Sequence, residues 1–255
     1  MAKNKVTVDG TTIIDLSTTG IETAADIPAG KYGYLRTGEK VLGTGENMNP
    51  LSGKILAGTG DSIAAGAGNN GIGYADIIGT NNGMTVQNIA VGGGTIINSG
   101  SNVFCISESI PYLRSDTDYI LLEGGGNDAD ADLTLGTLSN GYDATLDTTT
   151  FAGAFEHMLK STITRFPGKK IGYILIHKCS WQFDSRVPNS YYDMAINACK
   201  KWGIPYLDLN TLIPPLNYIS ALRTAYTNEG DGYHPNADGY NAFYVPKITA
   251  WMKTL

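Results

Sequence analysis

Three compact apolar runs in this chain end directly in glycine clusters, and that repeated junction constrains the fold more than any other feature. Lys54-Ile55-Leu56-Ala57-Gly58 continues into Thr59-Gly60-Asp61-Ser62. Thr85–Val91 continues into Gly92-Gly93-Gly94, and Tyr119–Glu123 into Gly124-Gly125-Gly126. Ile171–Ile176 and the shorter Pro205–Asp208 are further runs of strand length. None alternates strictly between apolar and polar, as a strand with one wet face does. They read as strands covered on both faces. Helix-like stretches near 62–80, 104–114, 151–166, 189–202, 211–224 and 236–254 separate them. Strand and helix in alternation predict a doubly wound parallel sheet. The expected fold is an α/β three-layer α/β/α sandwich, flavodoxin-like, with about five parallel strands. In such sheets the ligand crevice lies beyond the carboxyl ends of the strands, which is where the glycine clusters fall.

Composition narrows the function. The chain has 255 residues, 42% of them hydrophobic, which suffices for one mid-sized core. Its formal charge is −6. A mildly acidic chain does not suit nucleic acid or an anionic membrane surface, because both select basic partners. No run of 18 apolar residues exists to span a bilayer, and the first residues carry charge without the apolar run of a secretory signal. Cys105, Cys179 and Cys199 form no Cys-x-x-Cys pair, and the three histidines are dispersed. The expectation is buried free thiols, with one disulfide as the alternative, and neither metal nor cofactor.

Residues 1–50 read as an appendage to a main domain over 51–255. Turn residues punctuate the first segment every few positions. Its phrase Ala25-Asp26-Ile27-Pro28-Ala29-Gly30-Lys31, followed by Gly38-Glu39-Lys40-Val41-Leu42-Gly43-Thr44, resembles a segment that recurs in bacteriophage tail and tail-fibre proteins. That resemblance implies virion tail partners, and a location on the virion or outside the cell after lysis. Without it, the absence of a secretory signal implies the cytoplasm.

Four small motifs carry the chemistry: Gly60-Asp61-Ser62, Asn88 to Thr95 with its glycines, Gly125-Gly126-Asn127-Asp128, and Asp231-Gly232-Tyr233-His234. Each alone is common. Their order, and the position of three directly after strands, is not. A serine hydroxyl needs a base to become a nucleophile, and histidine has the pKa for it. An aspartate three residues earlier can return through a tight turn to fix the imidazole tautomer. A serine at a strand-to-helix turn offers its own N–H to an oxyanion, a glycine offers a second N–H unobstructed, and an asparagine amide a third. The set resembles the SGNH hydrolases, also called GDSL esterases and lipases, over about residues 54 to 240. The resemblance implies Ser62 as nucleophile, His234 as base and Asp231 as its orienter. It implies an oxyanion hole from Ser62, Gly93 and Asn127, with Gly92 the alternative to Gly93.

Blander readings apply elsewhere. Asp61 and Asp128 are expected to hold loops. His177, at the end of the fourth strand, reads as a hydrogen-bonded packing residue, and His157 as a surface or packing residue. Asp128, Asp130 and Asp132 begin like some calcium loops, but the later glycine and glutamate of that pattern are out of register. Trp181 and Phe183 follow the fourth strand and are candidate substrate-binding residues, able to stack on a sugar or an acyl chain, or equally to anchor their own loop. No long apolar lid segment is present. The expected activity is hydrolysis of short acyl esters, O-acetyl groups on carbohydrate first. The alternatives are a lipase or thioesterase of the same fold for longer chains, and a non-catalytic carbohydrate-binding module.

Overall fold

β-Branched and apolar residues in short runs, punctuated by glycine, favour strands that turn sharply into helices, and the computed structural model is built that way. It describes residues 5–8, 11–15, 23–27, 31–42, 49–100, 103–179 and 190–255. The chain separates into two compact units, Met1–Ser52 and Gly53–Leu255. The first is more regular than its turn-rich sequence suggests. Strands β1 (Lys5–Val8) and β2 (Thr11–Asp15) pair antiparallel, as do β3 (Tyr32–Tyr34) and β4 (Lys40–Leu42). The second pair closes through a Leu35–Gly38 turn in which Gly38 adopts φ 83°, a conformation glycine accepts without strain.

The second unit holds one parallel sheet: β5 (Ile55–Thr59), β6 (Thr85–Asn88), β7 (Tyr119–Glu123), β8 (Lys170–Leu175) and β9 (Tyr206–Asp208), in the order β6-β5-β7-β8-β9. All five expected strands are present. β7 is buried along its whole length, as its unbroken apolar run requires. Successive side chains of a strand point to opposite faces. On β8, Tyr173 meets Phe155 edge to face, with ring centroids 4.8 Å apart, whereas a Cβ on the neighbouring Gly172 would lie 2.2 Å from Trp251. The helices carrying Phe155 and Trp251 therefore cover opposite faces, which makes the three layers.

The helices adjust the sequence expectation where glycine and proline intervene. The stretch 62–80 is two helices, α1 (Ser62–Ala65) and α2 (Tyr74–Asn82). Gly66 ends α1 at φ 78°, and the Asp76 carboxylate accepts the Gly73 N–H at 3.0 Å to begin α2. Helix α3 (Gly126–Asp130) follows β7. The stretch 104–114 is not an α-helix but a chain of turns with one 3₁₀ turn at Ile110–Tyr112. There Ser109 bonds the Ile106 carbonyl with both its N–H (3.1 Å) and its hydroxyl (2.8 Å), competing with a helical ladder. Helices α4 (Phe151–Arg165) and α5 (Ser190–Trp202) lie where expected and pack together. Pro214 and Pro215 split 211–224 into α6 (Leu209–Leu212) and α7 (Ser220–Tyr226).

The C-terminal stretch is continuous but not uniform. It runs as α8 (Ala237–Gly239), a π turn over Tyr240–Tyr244, and α9 (Val245–Met252). Pro246 has no N–H and its ring crowds the carbonyl four residues back. The ladder shifts instead, and the Val245 N–H reaches the Tyr240 carbonyl five residues back. Helix α9 packs against α2.

Candidate active site

The first glycine junction puts Ser62 at the mouth of β5. Asp61 is the N-cap of α1, and its Oδ1 accepts the Ile63 N–H at 2.9 Å. Ser62 is then the first helical residue, with a backbone N–H that has no intrahelical acceptor. Gly60 must be glycine: a Cβ there would lie 2.4 Å from Glu123 Oε2 and 2.7 Å from Ala64 Cβ. The same Glu123 oxygen accepts the Asp61 N–H at 3.0 Å. Glu123 is fully buried, and its Oε1 has no hydrogen-bond partner among the described residues. Burial, with the Asp61 charge beside it, pushes the Glu123 carboxyl well above its usual range. Asp61 is raised by burial as well.

The second junction lies against the first. The Val91 N–H donates to the Gly60 carbonyl at 3.1 Å, and the Gly94 N–H to the Val91 carbonyl at 3.0 Å, closing a turn with Gly92 and Gly93 at its centre. Gly93 has φ 78° and open space where a Cβ would stand. A Cβ on Gly92 would be 3.7 Å from Ser62 Cβ, so the turn borders the serine. The third junction completes this side. Asn127 Nδ2 donates to the Gly94 carbonyl at 2.8 Å, using one of its two hydrogens. Asp128, buried, accepts the Ile96 and Ile97 N–H groups at 2.8 and 3.0 Å, and burial pushes its pKa up to about 6. Asp61 and Asp128 thus hold loops.

The fourth motif faces these three. Asp231 Oδ1 accepts the Tyr233 and His234 N–H groups at 2.9 and 3.0 Å, and this turn brings Oδ2 to 2.6 Å from His234 Nδ1. Gly232, at φ 82°, makes the turn possible, and a Cβ there would sit 2.2 Å from Asn217 Oδ1. A carboxylate only accepts, so Nδ1 carries the hydrogen and Nε2 presents a lone pair. That nitrogen lies 2.9 Å from Ser62 Oγ. Ser62, His234 and Asp231 are therefore aligned, 172 residues apart in sequence between serine and histidine. Such an alignment can deprotonate the serine and stabilise the resulting imidazolium.

A cavity of about 80 Å³ opens at this point, lined by Ser62, Asn127, Asp130, Ile176, Tyr233 and His234 among others. Asp130 places a carboxyl on it. Trp181 and Phe183 lie outside the described residues. Among the described residues no cluster of three or more His, Cys, Asp or Glu side chains could hold a metal ion, the Asp128–Asp132 run included. The three cysteines form no disulfide. No described helix is long and apolar enough to cross a membrane.

Three buried residues whose side chains hydrogen-bond around the site were not singled out in the sequence: Glu123, Tyr240 and Tyr244. Glu123 gave a signal, an acid closing an otherwise apolar strand. Tyr240 and Tyr244 gave a weaker one, two tyrosines four apart just after His234. His157 lines a separate surface groove with Lys160 and Arg165.

Comparison with known proteins agrees with this architecture. The family model described as the GDSL-like Lipase/Acylhydrolase family matches residues 59–242. No curated protein matches. Among solved structures, a protein from Lactobacillus plantarum is 26% identical with a TM-score of 0.67, over 80% of this chain and 98% of that one. Phospholipase A1 from Streptomyces albidoflavus is 17% identical with a TM-score of 0.54, over 78% and 99%. A Clostridium thermocellum family 3 carbohydrate esterase is 13% identical with a TM-score of 0.54, over 80% and 98%. For the last two, the likeness is one of fold.

Proposed function

The chain belongs to the GDSL-like lipase and acylhydrolase family, and we propose that within it the protein is a serine esterase for short acyl esters, O-acetyl groups on carbohydrate first among them. One observation carries the reading: the line from Ser62 Oγ through His234 to Asp231, at 2.9 and 2.6 Å, at the carboxyl end of β5. In this reading Ser62 attacks the ester carbonyl while His234 Nε2 takes its proton. Asp231 holds the tautomer and steadies the imidazolium. The tetrahedral oxyanion is received by the N–H groups of Ser62 and Gly93 and by the Asn127 amide, whose second hydrogen is not used on Gly94. His234 returns the proton to the leaving alcohol, and water then hydrolyses the acyl-enzyme by the same steps. Everything needed is protein: no step draws on a cofactor.

The acyl preference is supported by volume. About 80 Å³ is well below the roughly 300 Å³ at which pockets for drug-sized ligands begin. The Asp130 carboxyl on the cavity disfavours anionic substrates and leaves neutral esters. A carbohydrate esterase among the neighbours makes sugar acetates the first alcohols to try. Trp181 and Phe183 are retained as proposed contacts for that alcohol. For the N-terminal unit we propose attachment to a virion tail, on its sequence resemblance alone. Absence of the chain from purified tail particles would remove that part.

The test is hydrolysis of p-nitrophenyl acetate, butyrate and octanoate at neutral pH, with Ser62→Ala alongside. The expected order is acetate fastest, and kcat in the variant lower by about 10⁶. Preference for octanoate overturns the short-acyl assignment. Turnover unchanged in Ser62→Ala overturns the serine mechanism. Release of acetate from acetylated glycans then identifies the alcohol.

A further inference from the structure

We propose that Tyr244 and His177 form a buried relay that positions the Asp231–His234 loop, and that Tyr240, from the same π turn, positions the nucleophile helix, so that this turn sets serine and histidine in register. The inference rests on the Ser62–His234–Asp231 reading and goes beyond it to groups that touch neither substrate nor reacting atoms.

The geometry is specific. His177 Nε2 lies 3.3 Å from the carbonyl oxygen of Gly232, the residue between Asp231 and Tyr233 in the catalytic turn. A carbonyl only accepts, so Nε2 carries the hydrogen and Nδ1 is bare. Tyr244 Oη lies 2.6 Å from Nδ1 and must donate to it; its oxygen also accepts the His177 N–H at 3.3 Å. All of the ring's hydrogen-bonding capacity is used, and it points one way: Tyr244 to His177 to Gly232. Tyr240 Oη donates to the Ile63 carbonyl at 2.6 Å, inside the helix that begins at Ser62. Both tyrosines and His177 are wholly buried.

Packing alone does not call for these hydroxyls. Phenylalanine would fill the same space without the penalty of burying a polar group. The two rings meet edge to face at 5.5 Å, and Tyr244 stacks on Tyr74 at 6.0 Å, so neither hydroxyl can swing to another partner cheaply. The π turn is the common origin of both. It exists because Pro246 breaks the ordinary ladder, and it begins six residues after His234. The groups facing His177 are Tyr244, Asp231, His234 and Lys178. Burial dominates over them and pulls its pKa down to about 4, so the relay stays neutral and keeps its Nε2–H through the neutral range.

The experiment uses the full chain with ¹⁵N-labelled histidine. There are three histidines, so each imidazole can be assigned. In the parent, His177 is expected as the neutral Nε2–H tautomer from pH 5 to 8, and His234 with its Nδ1–H resonance. Tyr244→Phe is expected to shift or broaden the His234 Nδ1–H resonance and to lower kcat about tenfold with KM unchanged, the scale of one hydrogen bond. Tyr240→Phe is expected to lower kcat similarly while leaving the His234 resonance in place, and the double variant, whose two rings touch, to depart from the product of the two losses. His177→Gln keeps a donor for Gly232 and is expected to retain more activity than His177→Leu. Tyr191→Phe, which removes a partly buried hydroxyl bond to the Leu133 carbonyl, is the packing control and is expected to leave kcat alone. An Nδ1–H tautomer for His177 overturns the relay. So does a His234 resonance indifferent to Tyr244→Phe, or a kcat loss no greater than that of Tyr191→Phe. Ser62→Ala separates the two levels: if it matches the parent, the serine reading fails, and the resonance of His234 still decides the relay.

Discussion

The two flanks of the cleft bring their groups to the same point by different means. On the serine side, each group leaves a strand of the sheet within a few residues: Ser62 after β5, the Gly92–Gly94 turn after β6, Asn127 after β7. Parallel pairing fixes those strand ends, and buried acids lock the turns between them: Glu123 on the Asp61 N–H, Asp128 on Ile96 and Ile97. On the histidine side no strand leads in. Asp231 and His234 sit on a loop after a 3₁₀ turn, held by hydrogen bonds within residues 225–236 and by His177 from the end of β8. Thr227 Oγ1 accepts the Gly232 N–H at 3.0 Å, His177 donates to its carbonyl, and Asn236 Nδ2 donates to the Ala225 carbonyl. The lesson is that one flank is positioned by the fold and the other by hydrogen bonds on a loop. Overpacking a turn of the first should appear as lost stability with the chemistry retained, and removing the Asp231 carboxylate from the second as lost rate with stability retained.

The largest effect expected after that of Ser62→Ala tests the second half of that statement. Asp231→Asn should lower kcat by about 10⁴, because an amide cannot hold the tautomer that presents a bare Nε2 to Ser62. Its Oδ1 can still accept the two N–H groups of the turn, so unfolding stability in urea should change by less than about 1 kcal/mol. A variant that unfolds instead would show the loop to be part of the folding core.

Gly60→Ala tests the first half. The added methyl has no room against Glu123 Oε2 and Ala64 Cβ, and it stands where β5 becomes the serine turn. Overpacking of this kind should cost about 3 kcal/mol in urea unfolding. Activity per folded molecule should fall far less than in Asp231→Asn. If stability is untouched and kcat collapses, the serine flank is no more fold-determined than the other.

The same division explains what could be read before any coordinates. The five strands were legible because runs such as Tyr119–Glu123 are apolar without alternation. The serine, glycine and asparagine that the structure brings together were legible because they stand directly beyond such runs, and Asp231 and His234 because they stand three apart around a glycine. Helix limits were less so. The break at Gly66 depends on its left-handed backbone, and the turns at 104–114 on Ser109 finding the Ile106 carbonyl, neither of which periodicity reports. The supporting groups were the least legible. His177 and Tyr244 are 67 residues apart, and their contact, like that of His177 with Gly232, is a product of packing with no local pattern. Glu123 looked like the end of a strand, not like a buried acid that accepts the Asp61 N–H under the serine turn.

The smallest and most diagnostic effect is on pH, where the flanks should oppose each other. Asp128, on the serine side, has its pKa raised from 3.8 to about 6 by burial. Between those values the folded chain holds a proton that the unfolded chain has released, so this group's contribution to stability falls as pH rises through the window. His177, on the histidine side, is lowered from 6.5 to about 4, also by burial. There the unfolded chain holds the extra proton, so its contribution is full above pH 6.5 and is lost as pH falls toward 4. At about 1.4 kcal/mol per pH unit each contribution is about 3 kcal/mol, of opposite sign and over nearly the same range. They should nearly cancel in the parent, and single variants should expose them. In urea unfolding at pH 4.5, 5.5 and 6.5, the stability lost by His177→Gln should grow with pH, toward about 3 kcal/mol across the full window. The loss caused by Asp128→Asn should shrink as pH rises, by a comparable amount. Parallel pH curves for parent and both variants would mean that neither group is buried as the structure has it. If only one curve changes slope, the flank that stays flat is the one water enters.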